Sequence, residues 1–417
     1  MKYKIVLLFI FITILFSKSY AQNEHTQEEL KSAKDLFNST KDLYADELDT
    51  FNYHRIVVLL NKVLQADPTN PEALYYLGYT YSRINSSDGR SIISMNKDLV
   101  MQSSAYFEKL NQLTPKYTGE IIALDPYSKI TAEWGSMAMS YIYNNQLDSA
   151  LWAFNQGKER GGYSPFVLEI NRKTLDACPP NSILISAGDN ITFPIWYLQE
   201  VEKYRTDISV IDISLLNTSW YPRFVSKNKN IVFDLPDNVI DTIDYMPWMD
   251  SLIKVGDFSW ILKPSLYEQY ILRGDRVLLS LIKANNFKRD IYFTASFDKH
   301  QQISLEDYLS DYIVVKKLCK STPKDLIYEE YKNKITEILK LSSYINPNSI
   351  DQINTYNFYR CNIIMQIDKY YKSNDLKKAK ELMSIFDTYA DDKRMDYDYK
   401  LLSDFVIELK VQLKSTK

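Results

Sequence analysis

At 417 residues and 48.9 kDa the chain is long enough for two or three domains that each bury a core, which excludes a single small scaffold. Hydrophobic residues at 45% and charged residues at 25%, with a net charge of −3, exclude bulk disorder and a polytopic membrane protein. With 33 Tyr against 10 Gly and 14 Pro, the composition favours helix-rich, Tyr-packed layers over a Gly-rich sandwich or a glycine-loop nucleotide enzyme.

Lys2 and Lys4 precede an apolar run from Ile5 to Phe16, and Ser19-Tyr20-Ala21 before Gln22 has the small-x-small form that signal peptidase accepts. Residues 1–21 therefore read as a cleaved secretory signal, with an uncleaved anchor as the alternative. The expected location is across the inner membrane, periplasmic or extracellular. Loss of Lys2, Lys4 and Lys18 leaves 47 basic against 53 acidic residues, a balance that argues against a nucleic-acid partner. Cys178, Cys319 and Cys361 are odd in number and widely spaced, so they form no disulfide framework; one bridge is open to them, and buried apolar thiols are the main reading. His25, His54 and His300 form no HExxH pair and no Cys/His grouping, so neither a metal nor a cofactor is expected.

From Glu28 to Arg172 the apolar period is helical. Trp134, Met137, Ala138 and Tyr141, followed by Ala150 and Phe154, have the spacing of a helical hairpin whose small residues let two helices approach while the rings fill the gap between units. Leu74, Leu77, Gly78 and Tyr81 open a second unit. Its second helix, with Ser103, Phe107 and Pro115, fits only if about a dozen residues around Asn85 to Asp98 loop out. His54 to Ala66, ended by Asp67-Pro68, reads as the closing helix of an earlier unit. Residues 28–172 thus resemble tetratricopeptide repeats, which implies a concave surface that holds a peptide or partner protein. The alternative is that the stack only packs on the next domain.

At Cys178-Pro179-Pro180 the pattern changes. Ser182 to Ala187 reads as a strand ending in Gly188-Asp189-Asn190, Phe193 to Tyr204 as a helix, and Ile208 to Ile213 as a second strand. Asp275 to Asn286 reads as a helix, Asp290 to Thr294 as a strand and Ile313 to Val315 as an edge strand. Residues 231–270 form an excursion with one strand at Ile231 to Phe233. The expectation is a Rossmann-like, mostly parallel α/β domain over residues 178–320. Ligands bind at the carboxyl edge of such sheets, which makes Asp189, Asn190, Asn217, Trp220 and Tyr221 candidate binding residues for one cleft.

The stretch Asn181 to Tyr221 and the block Asn285 to Phe293 resemble the soluble C-terminal region of the protein O-mannosyltransferase-like family, domain of unknown function 2723. The resemblance thins over Leu305 to Val315 and leaves out the repeats. It implies a many-spanning glycosyltransferase of the lipid-phosphosugar type with its active site in the membrane portion. No apolar run near 18 residues follows the signal, so only the extracytoplasmic accessory domain carries over.

Asp189 with Glu200 or Asp212 could serve as a glycosidase pair, whereas an Asp-Asn turn after a strand more commonly caps the following helix. Trp196 and Trp220 could stack on a sugar ring or belong to the core. Glu200 has an exposed ion pair with Arg205 as its plain explanation. From Lys324 to Lys417 the chain is helical again. Ile363, Ile367, Tyr370, Ala379 and Met383 echo the repeat spacing around an Asn374-Asp375 turn. The whole reads as tetratricopeptide-like helices flanking a central α/β domain, followed by a helical C-terminal segment, in an extracytoplasmic scaffold for a protein or glycoprotein partner. The alternatives are a carbohydrate-active enzyme that uses Asp189 and a purely structural scaffold.

Overall fold

The computed structural model describes residues 23–39, 47–296, 302–391 and 400–415; the expected leader at 1–21 lies outside the described residues. Helices α1 (residues 23–39) and α2 (Glu47–Ala66) turn Leu30, Ala33 and Phe37, and Ile56, Leu60 and Val63, into the core, the three- and four-residue spacing of one helix face. Helix α3 (Pro71–Ser86) starts where the Asn70 side chain accepts the Ala73 N–H and Pro71 takes the first helical position. After α4 (Lys97–Leu113), the same cap-then-proline device starts α5 (Pro126–Tyr143), with Asp125, and, beyond α6 (Leu147–Glu159), α7 (Pro165–Asp176), with Ser164. Helices α2 to α6 pack in chain order.

The expected insertion is filled by two short 3-10 turns, Ser87–Gly89 and Ile92–Ser94. Gly78 is needed where α3 meets α4, because a Cβ there would lie 2.9 Å from the Phe107 ring. Ser103 donates to the Gly78 carbonyl at 2.8 Å across the same contact. Leu74 and Leu77 are buried beside it, and Tyr81 stacks on Tyr106. In the α5–α6 hairpin Trp134, Ala138, Ala150 and Phe154 are buried, Tyr141 is half-buried, and the Trp134 indole donates to Ser104 Oγ at 2.9 Å.

Strand β1 (Ile183–Ser186), helix α8 (Asp189–Glu200) and strand β2 (Ser209–Asp212) form the strand-helix-strand unit, with the two strands parallel. Then come α9 (Tyr221–Asn228), α10 (Asp237–Thr242), β3 (Met246–Pro247), β4 (Ser251–Val255), β5 (Phe258–Leu262) and β6 (Tyr270–Ile271). Helix α11 (Arg273–Asn285) leads to β7 (Ile291–Thr294), β8 (Leu309–Asp311) and β9 (Val315–Leu318). The five-stranded sheet has the order β2-β1-β7-β9-β8, parallel as far as β7 and antiparallel beyond it.

The sheet is therefore mixed rather than mostly parallel. Only residues 312–314 separate β8 from β9, too few for a crossover, so that pair must be antiparallel. Val315 opens β9 inside the sheet, and the edge belongs to β8. No strand forms at Ile231 to Phe233. The excursion instead carries the ribbons β3–β6 and β4–β5, the latter turning at Gly256 with φ +61°. The three cysteines are free, and only Cys178 is fully buried, its thiol pushed up to about 12 by that burial.

Helices α12 (Tyr328–Leu339), α13 (Ile350–Lys372), α14 (Leu376–Tyr389) and α15 (Lys400–Ser415) complete the chain. Ile363, Ile367, Ala379 and Met383 are buried between α13 and α14, which turn through Asn374 at φ +63°. Helix α8 packs against both α5 and α7. Gly135 makes that approach close, since a Cβ on it would meet the Phe193 ring at 2.4 Å.

Candidate functional site

Where α3 and α5 face the carboxyl ends of β1 and β2, they enclose a cavity of about 230 Å³. Tyr79, Ser82, Arg83 and Ser86 line it from α3; Lys129, Glu133 and Ser136 line it from α5. Each set follows the spacing of one helix face. The floor is the β1–α8 turn, Gly188 and Asp189, together with Asp212 and Ser214 after β2. Gly188 has φ +89° with open space on its Cβ side, which turns the chain sharply from strand to helix.

The charges are unevenly committed. Lys129 Nζ lies 2.8 Å from Glu133 Oε1, donates to Ser82 Oγ at 2.8 Å and sits 4.4 Å from the centre of the Tyr79 ring. Burial opposes its charge, but the Glu133 carboxylate outweighs that and raises the ammonium above its ordinary value. Asp212 is 4% exposed and its carboxylate is satisfied by the Thr192 hydroxyl at 2.5 Å and the Leu215 N–H at 2.9 Å. Burial still moves it upward. Asp189, half-buried at the cavity floor, accepts no hydrogen bond from any described residue. Burial pushes its carboxyl up to about 6, Lys129 opposing and Asp212 and Glu133 adding to the shift.

The five candidate residues do not share this cavity. Asp189 lines it and also borders, with Asn190, a second cavity of about 320 Å³ between the ends of β1 and β7, α7 and α13. There the Asn190 amide donates to Ser128 Oγ at 3.0 Å. Asn217 accepts the Gly274 N–H at 2.8 Å and pins the start of α11. Trp220 is 6% exposed, donates to the Gly89 carbonyl at 3.2 Å and meets Tyr143 edge-on. Tyr221 is fully buried, its hydroxyl accepting the Asp212 N–H at 3.0 Å.

Trp196 is likewise core, packed on Phe193. Glu200 sits at the far end of α8, about 16 Å along the helix from Asp189, too far for a carboxylate pair; it meets Lys229 at 3.5 Å, and Arg205 bonds Asp207 instead. Lys129, Glu133, Ser136 and Arg83 escape the strand-edge reasoning because they come from the repeats. For the three on α5 the signal is a polar row at 129, 133 and 136 on a helix that is otherwise largely apolar.

A tetratricopeptide repeat model matches residues 59–96, which covers the end of α2 and all of α3. A second model, described as TMEM260-associated domain 2, matches residues 167–236 and so includes β1, α8, β2 and α9. Arg83 belongs to the first match, and Asp189 and Asp212 to the second. No curated protein matches the sequence. A repeat of this type suggests a protein-binding or scaffold role. Among the described residues no helix is long and apolar enough to cross a membrane, and no cluster of His, Cys, Asp and Glu is arranged to hold a metal.

Proposed function

We propose that the chain is an extracytoplasmic protein-binding scaffold that takes a polar group of a protein or glycoprotein partner into the cavity between its repeats and its sheet. One observation carries this reading: helical-groove side chains and strand-edge side chains, expected as two separate surfaces, wall one cavity. The repeat at 59–96 supports a protein partner. The leader pattern supports export. The parallel β2-β1-β7 core supports kinship with Rossmann-like sheets, and the likeness to the O-mannosyltransferase-like soluble region supports a place beside envelope glycosylation or assembly.

A photo-crosslinking residue at Ser214, on the exposed rim, should trap the partner in the native envelope; one at Met365, exposed outside the cavity, should not. Equal adducts at both positions would remove the cavity from recognition.

A second reading, glycosyl transfer or hydrolysis, is favoured by the Asp189 carboxyl. Held near 6, it is suited to donate a proton at mildly acidic pH. Turnover of a glycan panel by the wild type and not by folded Asp189→Ala is its test; no turnover by either rejects it.

A further inference from the structure

We propose that this cavity selects a cation, specifically a lysine ammonium presented by a polypeptide partner; the inference rests on the reading of the cavity as the recognition site. The groups left uncommitted decide the sign. Lys129 is already held by Glu133, Ser82 and the Tyr79 ring. The Asp189 carboxylate, by contrast, accepts nothing from the described residues. The Ser136 hydroxyl has no hydrogen-bond partner among them either, although Ser136 is only 8% exposed and lines the cavity. An anion and a hydroxyl that face the cavity with no bond inside the protein are open to a ligand that brings donors and positive charge.

An anionic ligand meets the opposite situation. It would lie against three carboxylates, Asp189, Asp212 and Glu133, and the two cations that also line the cavity, Lys129 and Arg83, are already partnered. The positive end of the α8 dipole does not reverse this, because Asp189 in the first turn of the helix already complements it.

Size and apolar lining narrow the cation further. Set against a cavity of about 150 Å³ that takes one benzene, a cavity of about 230 Å³ has room on the scale of one side chain. Ile92, Met95 and Leu215 give an aliphatic stem a place to lie while its charged end reaches Asp189. A compact ammonium with three rotatable donors suits one carboxylate and one hydroxyl better than a planar guanidinium, whose fork is matched to bidentate acceptors.

Titration calorimetry on the full chain tests this with Nα-acetyl-lysine methylamide and its norleucine, arginine and glutamate counterparts. The lysine probe should bind. The norleucine probe, and the lysine probe on Asp189→Asn, should each be weaker by about tenfold, the value of a hydrogen bond to a charged group. Ser136→Ala, which removes a hydroxyl with no bond to lose, should weaken the lysine probe severalfold and remains informative if Asp189→Asn fails to unfold cooperatively. Equal or tighter binding of the norleucine, arginine or glutamate probe overturns the lysine assignment and leaves the cavity as the site. No binding by any of the four also overturns it, while the cavity reading itself falls only if the Ser214 crosslink fails.

Discussion

The backbone N–H of Asp125 donates to the Asp351 carboxylate at 2.8 Å, and the N–H of Asp351 donates back to Asp125 Oδ2 at 3.1 Å. This reciprocal pair joins the first residue before α5 to the second residue of α13, 226 positions apart. Asp125 also caps α5 through the Ser128 N–H at 2.8 Å and accepts the Ser349 hydroxyl at 2.6 Å. The repeats and the C-terminal helices are therefore tied by two carboxylates brought face to face.

That arrangement has a definite pH signature. Burial, then the Asp125 charge, pushes the Asp351 carboxyl up to about 6, above an unfolded value of about 4. A raised native value means the native state holds the proton more tightly. The contribution to stability is therefore complete below about pH 4 and is lost as pH rises through about 6. Asp351→Asn, which keeps an acceptor and removes the charge, should stabilise the protein by about 1–2 kcal/mol at pH 7.5 and by nothing measurable at pH 4. Urea unfolding at the two pH values checks it; an equal gain at both would mean that charge is not the cause.

The Lys129–Glu133 pair should behave as a buried ion pair, since the two residues are 5% and 3% exposed. Lys129→Met strands a carboxylate and Glu133→Gln strands an ammonium, each at a cost of about 3–5 kcal/mol. The double variant Lys129→Met/Glu133→Gln removes both charges and should cost less than the sum of the two single changes. A double-mutant cycle in urea reads the coupling directly. Additive losses would show that the two charges act independently.

Gly135→Ala separates packing from helix propensity. Alanine is favoured over glycine inside a helix by roughly 0.5–1 kcal/mol, so propensity alone predicts stabilisation. The new methyl would instead meet Phe193 at 2.4 Å between α5 and α8, and overpacking of that kind costs about 1–3 kcal/mol. Net destabilisation, relieved by adding Phe193→Leu, is the expected result in thermal or urea unfolding. A stabilised Gly135→Ala would mean that the helices can part without penalty.

The repeats and the first strand-helix-strand unit were legible because their signals are local. Asn70-Pro71 and Asp125-Pro126 announce helix starts, and Gly78 with Phe107 keeps the repeat spacing across an insertion. The β4–β5 hairpin has a local signal too, Gly256-Asp257 between the runs Leu252 to Val255 and Phe258 to Leu262, whereas the apolar run Ile231 to Phe233 has the composition of a strand and forms none. The cavity was only half legible. Asp189 follows from the strand-end rule, but its neighbours Lys129 and Arg83 are about 60 and 106 residues earlier, and no local period reports which side chains a later turn will face.

Tyr221 decides between the strand-edge reading of the sequence and the observed packing. Its hydroxyl is buried and accepts the Asp212 N–H at 3.0 Å, so Tyr221→Phe leaves a buried backbone donor unpaired. The cost should be about 1–3 kcal/mol of stability. Because the ring stays in place against Trp220 and Phe224, the folded variant should bind cavity ligands as the wild type does. Chemical denaturation and calorimetry on the same preparation give both numbers. Unchanged stability with weakened binding would return Tyr221 to the ligand-contacting residues and would require its hydroxyl to leave Asp212 when the cavity fills.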